Sequence, residues 1–263
     1  MSLVEAIILG IIQGFTEFFP VSSSGHLALG QMFFGLHDLH NFIFFDVVLH
    51  LGTLLAIITV FGPEIRNIFA RERQKLLIIG IGTLPLVPLT LAIGTIKDLL
   101  ANVHILGFCF LTTAMLLFLG ERLRKTGFRP SYGFWLNPLI IGCSQALALL
   151  PGISRSGSTI STARMLGWSR KEAVEFSFLL AIPAILGSVT LELLIIITGD
   201  TTSNVAAIPP LHYLLGFTAA FVTGLIALKT LKKLAVEGRL TGFIWYCAII
   251  GIATIIFVEV FHG

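Results

Sequence analysis

The 263-residue chain is 56% hydrophobic and only 12% charged, with a mean hydropathy of +0.95, whereas soluble domains carry about a quarter charged residues. These figures exclude a soluble globular domain and predict an all-α polytopic membrane protein, because several apolar runs approach the roughly 20 residues that span a bilayer and no period-2 alternation marks a barrel. The net charge of +3 comes from Lys and Arg in short connections, which indicates membrane orientation and no nucleic-acid partner.

In chain order, the first ten residues carry Glu5 and no basic cluster, so they do not read as a cleaved signal. Ser2 to Phe19 forms a short apolar helix with Gln13 and Glu17 inside it, stopping at Pro20 before three serines, Gly25 and His26. Such a helix is expected to end within the membrane, where irregular backbone is tolerated only if buried or lining a watery cavity. A piece from His26 to Gly35 leads the chain back. Six full spans then follow, at Phe42–Phe61, Leu76–Ile96, Val103–Gly120, Phe176–Ile197, Leu211–Leu228 and Phe243–Phe261, with Pro85, Pro88 and Pro183 tolerated inside packed helices. Between the third and fourth lies a second broken segment, about Phe134 to Gly167. Cys109, Cys143 and Cys247 sit in apolar runs without metal-ligand spacing and imply no disulfide framework.

The connections at Arg66–Lys75, Arg122–Arg129 and Lys229–Arg239 are rich in Lys and Arg and are expected to be cytoplasmic. Those at Lys97–Asn102 and Gly199–Pro210 hold one Lys between them and are expected to face outward. These sides alternate correctly only if each broken segment enters and leaves on one side, the first from outside and the second from inside. That is the requirement of an inverted-topology repeat with two re-entrant helical hairpins. A shift of 132 positions pairs Gly10 with Gly142, Gln13 with Gln145, Ser22 with Ser154, Ser24 with Ser156, Gly25 with Gly157, Gly35 with Gly167 and Phe44 with Phe176. The chain is therefore read as one membrane domain of two repeats, 1–131 and 132–263. Chance recurrence of Gly, Ser and Gln is the competing explanation.

Arg155 is the residue hardest to explain without function, since an Arg at membrane depth costs on the order of 3 kcal/mol and needs a cavity or a partner. It stands among Ser154, Ser156, Gly157, Ser158 and Thr159, which supply the hydroxyls, amides and close backbone approach of an anion site, with a helix N-terminus behind them. A guanidinium anchored at the membrane surface is the alternative. In the first segment Gln13 and Glu17 are four apart on one helix face and could turn two oxygens toward a divalent cation. Glu17 could instead act as a base, orient His26, or simply pair with Arg155. Ser22, Ser23 and Ser24 could be plain caps and turn formers, and His26 a cap of the next helix. Taken together the set suits phosphoryl transfer, in which a serine hydroxyl, His26 or water attacks a bound phosphate.

QGFTE followed by PVSSSGH, together with PGISRSGST, resembles the undecaprenyl pyrophosphate phosphatase family, the bacitracin-resistance proteins, over essentially the whole chain. The resemblance implies a bacterial inner-membrane hydrolase that removes one phosphate from the C55 isoprenyl pyrophosphate and recycles the lipid carrier of cell-wall synthesis. It implies a site opening to the outer face and a divalent cation, Mg or Ca, as cofactor. It carries Gln13 and Glu17 over as metal ligands; Glu17, Ser23, His26 and Arg155 as catalytic residues; and Ser22, Ser24, Gly25, Ser154, Ser156, Gly157 and Thr159, with Gln13, as substrate-binding positions. Many relatives have Glu where this chain has Gln13, so one carboxylate is lost and the pyrophosphate itself is expected to hold more of the cation. His50, on a neighbouring helix, could sit near the site, with a core or packing residue as the favoured reading. A lipid flippase or secondary transporter on the same scaffold is the alternative function, and the small residues of the spans are compatible with a homo-oligomer.

Overall fold

The computed structural model describes residues 1–36, 42–91, 103–125, 133–198, 208–238 and 240–262, and among these the regular structure is helical throughout. Helix α1 (Leu3–Phe18) starts on a capping box in which Ser2 and Glu5 satisfy each other's backbone N–H, which accounts for Glu5 structurally. It ends because Pro20 forces Phe19 into extended backbone, φ −62° and ψ 143°. After four residues α2 (Ser23–Phe33) begins. Then come α3 (Ile43–Ala70), α4 (Arg73–Thr83), α5 (Leu86–Leu91), α6 (Leu106–Lys125), α7 (Leu136–Leu147), α8 (Arg155–Met165), α9 (Arg170–Thr198), α10 (Pro210–Glu237) and α11 (Thr241–His262).

Among the described residues five helices, α3, α6, α9, α10 and α11, are long and apolar enough to cross a membrane. They fall on five of the six expected spans. The other, Leu76–Ile96, is interrupted: α4 stops at Thr83 and α5 starts at Leu86, and residues 92–96 lie outside the described part. Two donors are missing within four residues there. Pro85 occupies the gap and Pro88 the first turn of α5, where a missing N–H costs nothing. Pro63 and Pro183, each without such a second proline, stay inside unbroken helices. The outward connections expected at 97–102 and over 199–207 lie outside the described residues, as do Arg129 and Arg239.

Close packing rests on glycine. A Cβ on Gly10 or Gly14 of α1 would collide with Gly216 O or Thr223 Oγ1 of α10, and one on Gly52 of α3 would come within 2.7 Å of Phe217 O. Lipid offers no hydrophobic drive between helices, so this backbone approach and the dispersion it allows are what hold them. Phe18, Phe61 and Phe178 lock α1, α3 and α9 edge to face, with centroids 5.8 and 5.6 Å apart. At the centre, against α6, α7 and α9, lies α8, polar in sequence yet buried from Ser156 to Arg164. It pays for that burial internally: Ser158 Oγ donates to Ser154 O at 2.8 Å and Thr159 Oγ1 to Arg155 O at 2.9 Å.

Candidate active site

Both helix breaks are closed by serine caps, and the caps interlock. Ser154 Oγ accepts from Gly157 N at 3.0 Å at the start of α8. Ser22 Oγ accepts from Gly25 N at 3.4 Å at the start of α2, and also from Gly152 N across the two segments at 3.1 Å. Ser22 is the one non-glycine among the described residues with a positive φ, 73°, a conformation that costs about 1–3 kcal/mol and persists only where its surroundings fix it. Ser156 Oγ adds a second stitch, donating to Phe19 O at 3.1 Å. Thr113 of α6 ties down the other side, donating to Gly152 O and accepting from Ser154 N, both at 2.9 Å. Two helix N-termini thus meet at one place, and their free N–H groups favour an anion there.

Glu17, buried at the end of α1, is the hub. Its Oε1 accepts from Arg155 Nη2 at 2.5 Å, while Oε2 accepts from Ser23 Oγ at 2.7 Å and from Gln13 Nε2 at 3.1 Å. Arg155 also donates to Ser177 O at 3.4 Å. Glu17, Ser23 and Arg155 line a cavity of about 310 Å³ with Ser22, Ser24, Ser154, His50, Ser188 and Glu192, and apolar side chains such as Leu149, Ile153 and Ile185 complete its wall. From Ala184 to Glu192 the cavity follows α9 for about 12 Å, and Arg155 forms part of its wall.

The expected residues do not all face this space. Glu17, Ser22, Ser23, Ser24, Ser154 and Arg155 gather at it, and Gln13 is buried beside Glu17, outside the cavity lining. Gly25 and Gly157 act through backbone N–H groups at the caps, and Ser156 and Thr159 are buried within α8, Thr159 Oγ1 lying 2.7 Å from Ser177 Oγ. His26 turns away from Glu17. Its Nδ1 is 2.7 Å from Ser22 O, its Nε2 is 2.7 Å from Tyr246 OH, and its ring stacks on Tyr246. The imidazole in the cavity belongs instead to His50, whose Nε2 is 3.9 Å from Glu17 Oε2 while Nδ1 is held 2.8 Å from Asp46 O. The sequence favoured packing for His50 over the place near the site that it takes here, and it did not single out Asp46 or Glu192. Each is an ionisable residue inside an apolar helix, which is the signal that would have found them.

The donor set for a cation is small. Among the described residues no three of His, Cys, Asp and Glu come together in a way that could hold a metal ion. Beside Glu17, however, Gln13 Oε1 is buried without a hydrogen-bond partner, an acceptor left open.

Residues 6–253 match the family of bacitracin resistance protein BacA. The chain is 43% identical to an undecaprenyl-diphosphatase of Protochlamydia amoebophila over 98% of its own length and all of the relative's. It is 40% identical to the undecaprenyl-diphosphatases of Christiangramia forsetii, over 98% of both chains, and of Carboxydothermus hydrogenoformans, over 97% of both.

Proposed function

The chain belongs to the bacitracin resistance protein BacA family, and we propose that it is an undecaprenyl-diphosphatase, a membrane hydrolase converting undecaprenyl diphosphate to undecaprenyl phosphate and inorganic phosphate. The observation that carries the chemistry is the Glu17 carboxylate held between the Arg155 guanidinium and the Ser23 hydroxyl where two helix N-termini meet. In this reading the diphosphate enters the cavity and takes Arg155 and the cap N–H groups as its clamp. Ser23 Oγ attacks the terminal phosphorus and its proton passes to Glu17. The P–O bond to the lipid phosphate breaks as the Ser23 O–P bond forms, and water then cleaves that ester to release inorganic phosphate. Ser23 is favoured over His26 because its hydroxyl already donates to Glu17, while the His26 ring is occupied by Ser22 O and Tyr246. A divalent cation, Mg or Ca, would neutralise charge on the diphosphate. Glu17 and the open Gln13 Oε1 are the protein oxygens proposed to hold it, and with so few donors the substrate would provide the rest.

The topology we propose is the inverted repeat of 1–131 and 132–263, with α1–α2 and α7–α8 as re-entrant hairpins and α4–α5 as the sixth span. In support, α2 and α8 have 11 residues each, begin 132 positions apart, and are followed by Gly35 and Gly167, both at positive φ. The contact of α1 with α10, made across the two halves, has its counterpart in that of α7 with α4, also made across them. At 16 and 12 residues, α1 and α7 reach only about 24 and 18 Å, short of a bilayer core of about 30 Å. The cavity opens toward the outer face of the bacterial inner membrane in this arrangement, because His50 lies near the start of α3 and Glu192 near the end of α9, opposite the basic connection at Arg66–Lys75.

Phosphate release from undecaprenyl diphosphate by purified protein in detergent tests the assignment. Glu17→Ala and Arg155→Ala should each lower turnover at least about 10²-fold, as expected for loss of a preorganised charge. Near-normal turnover by both would overturn it. Chelation should abolish activity and added Mg or Ca restore it; full activity in chelator would remove the cation from the scheme.

A further inference from the structure

The cavity at Arg155 takes the head of such a substrate, and although Leu149, Ile153, Ala184 and Ile185 give it an apolar wall, at about 310 Å³ it leaves most of a 55-carbon tail outside. We propose that the apolar groove between α1, α10 and α11 holds the proximal isoprenyl units of the diphosphate, an inference that rests on the diphosphatase reading above. The groove is about 450 Å³, walled mainly by Phe15, Phe19, Leu234, Phe243 and Tyr246, with Thr16 at its edge. Its two hydroxyls are already engaged: Thr16 Oγ1 donates to Ile12 O at 2.6 Å, and Tyr246 OH is 2.7 Å from His26 Nε2. What they leave is a surface for an apolar ligand.

Helix geometry joins this groove to the site. At 100° per residue, Gln13 and Glu17 share one face of α1 while Phe15 and Phe19 share another, and Thr16 lies between the two. Thr16 accordingly lines both the groove and the polar cavity. Thr16 is thus the one residue shared by the two linings, and the chain of a diphosphate at Arg155 would run past it into the groove. Phe15 and Phe19 lie 5.9 Å apart and Phe19 and Phe243 5.2 Å, so flat ring faces are available to the planar double bonds of isoprene. Surrounding lipid is as apolar as the groove, so the gain is in placing the head relative to Ser23 more than in hydrophobic transfer.

Gly242 provides the test, because a Cβ built on it meets nothing within 4 Å and it lines the groove. Gly242→Trp should fill the space without disturbing the backbone. Phosphate release from undecaprenyl, farnesyl and dimethylallyl diphosphates is measured for the wild type and the variant. The expected result is a loss of kcat/KM of at least tenfold on the two longer substrates, with the five-carbon one unchanged. Phe243→Ala, which widens the groove, should show the same chain-length split, so the outcome does not depend on one variant folding. An equal loss on all three substrates, or none on any, overturns the groove and leaves the phosphatase standing. Displacement of co-purified phospholipid by Gly242→Trp without a change in undecaprenyl diphosphate turnover also overturns it, assigning the groove to bilayer lipid. A wild type inert toward all three removes the diphosphatase reading itself.

Discussion

Glu17 and Arg155 each make the other affordable at membrane depth. Removing one partner strands a buried charge, at about 3–5 kcal/mol, whereas removing both leaves only a polar void. Glu17→Ala and Arg155→Ala should therefore each lower the melting temperature in detergent, and the double variant should lose clearly less than the sum of the two. Simple additivity would mean that the 2.5 Å contact contributes nothing to folding. Arg155→Lys keeps the charge but not the planar fork, so it should retain stability better than Arg155→Ala and still lose most turnover. The pairing of these two residues was legible in sequence, since a carboxylate and a guanidinium in two apolar runs have few other partners. His50 was legible only as one of two readings, near the site or packed in the core, because its imidazole reaches Glu17 through the packing of α3 along α1, which no local pattern encodes.

At the level of elements, the site is made by two helix breaks that cap one another. Gly152 is the most constrained link: its φ is +93°, a Cβ would lie 2.6 Å from Cys109 Cβ and 2.7 Å from Leu106 O, and its N–H is bonded by Ser22. Gly152→Ala should cost at least about 1–3 kcal/mol from conformation alone, read as a fall in melting temperature. Ser22→Ala should be milder in stability while still lowering turnover, because it loosens the first segment against the second. A Gly152→Ala protein as stable as wild type would show that the junction can relax. The breaks at Pro20 and Pro151 could be read from sequence because each is followed by Ser and Gly caps, an explicit stop and restart. The interruption between α4 and α5 carries no such caps, and its prolines looked like those that α3 and α9 absorb without breaking.

For the whole molecule, orientation follows from where the positive charge lies. Arg66, Arg71, Arg73 and Lys75 surround the junction of α3 and α4, and Lys232 at the far end of α10 approaches Glu64 of α3 at 3.8 Å, so the basic ends of these helices share one side. In the topology proposed above, retention of Lys and Arg on the cytoplasmic side during insertion would put that junction inside and the Ser188 and Glu192 end of the cavity outside. Thiol labelling in intact cells can read this directly. The background must first be freed of Cys143, which is exposed. Ser188→Cys should then react with a membrane-impermeant maleimide added from outside, and undecaprenyl diphosphate should slow the reaction by filling the cavity. Asn67→Cys, in the last turn of α3, should react only after permeabilisation. Labelling of Asn67→Cys in intact cells with Ser188→Cys protected would invert the topology and turn the cavity toward the cytoplasm. The lipid carrier would then be dephosphorylated on the inner face, with the same residues performing the same chemistry.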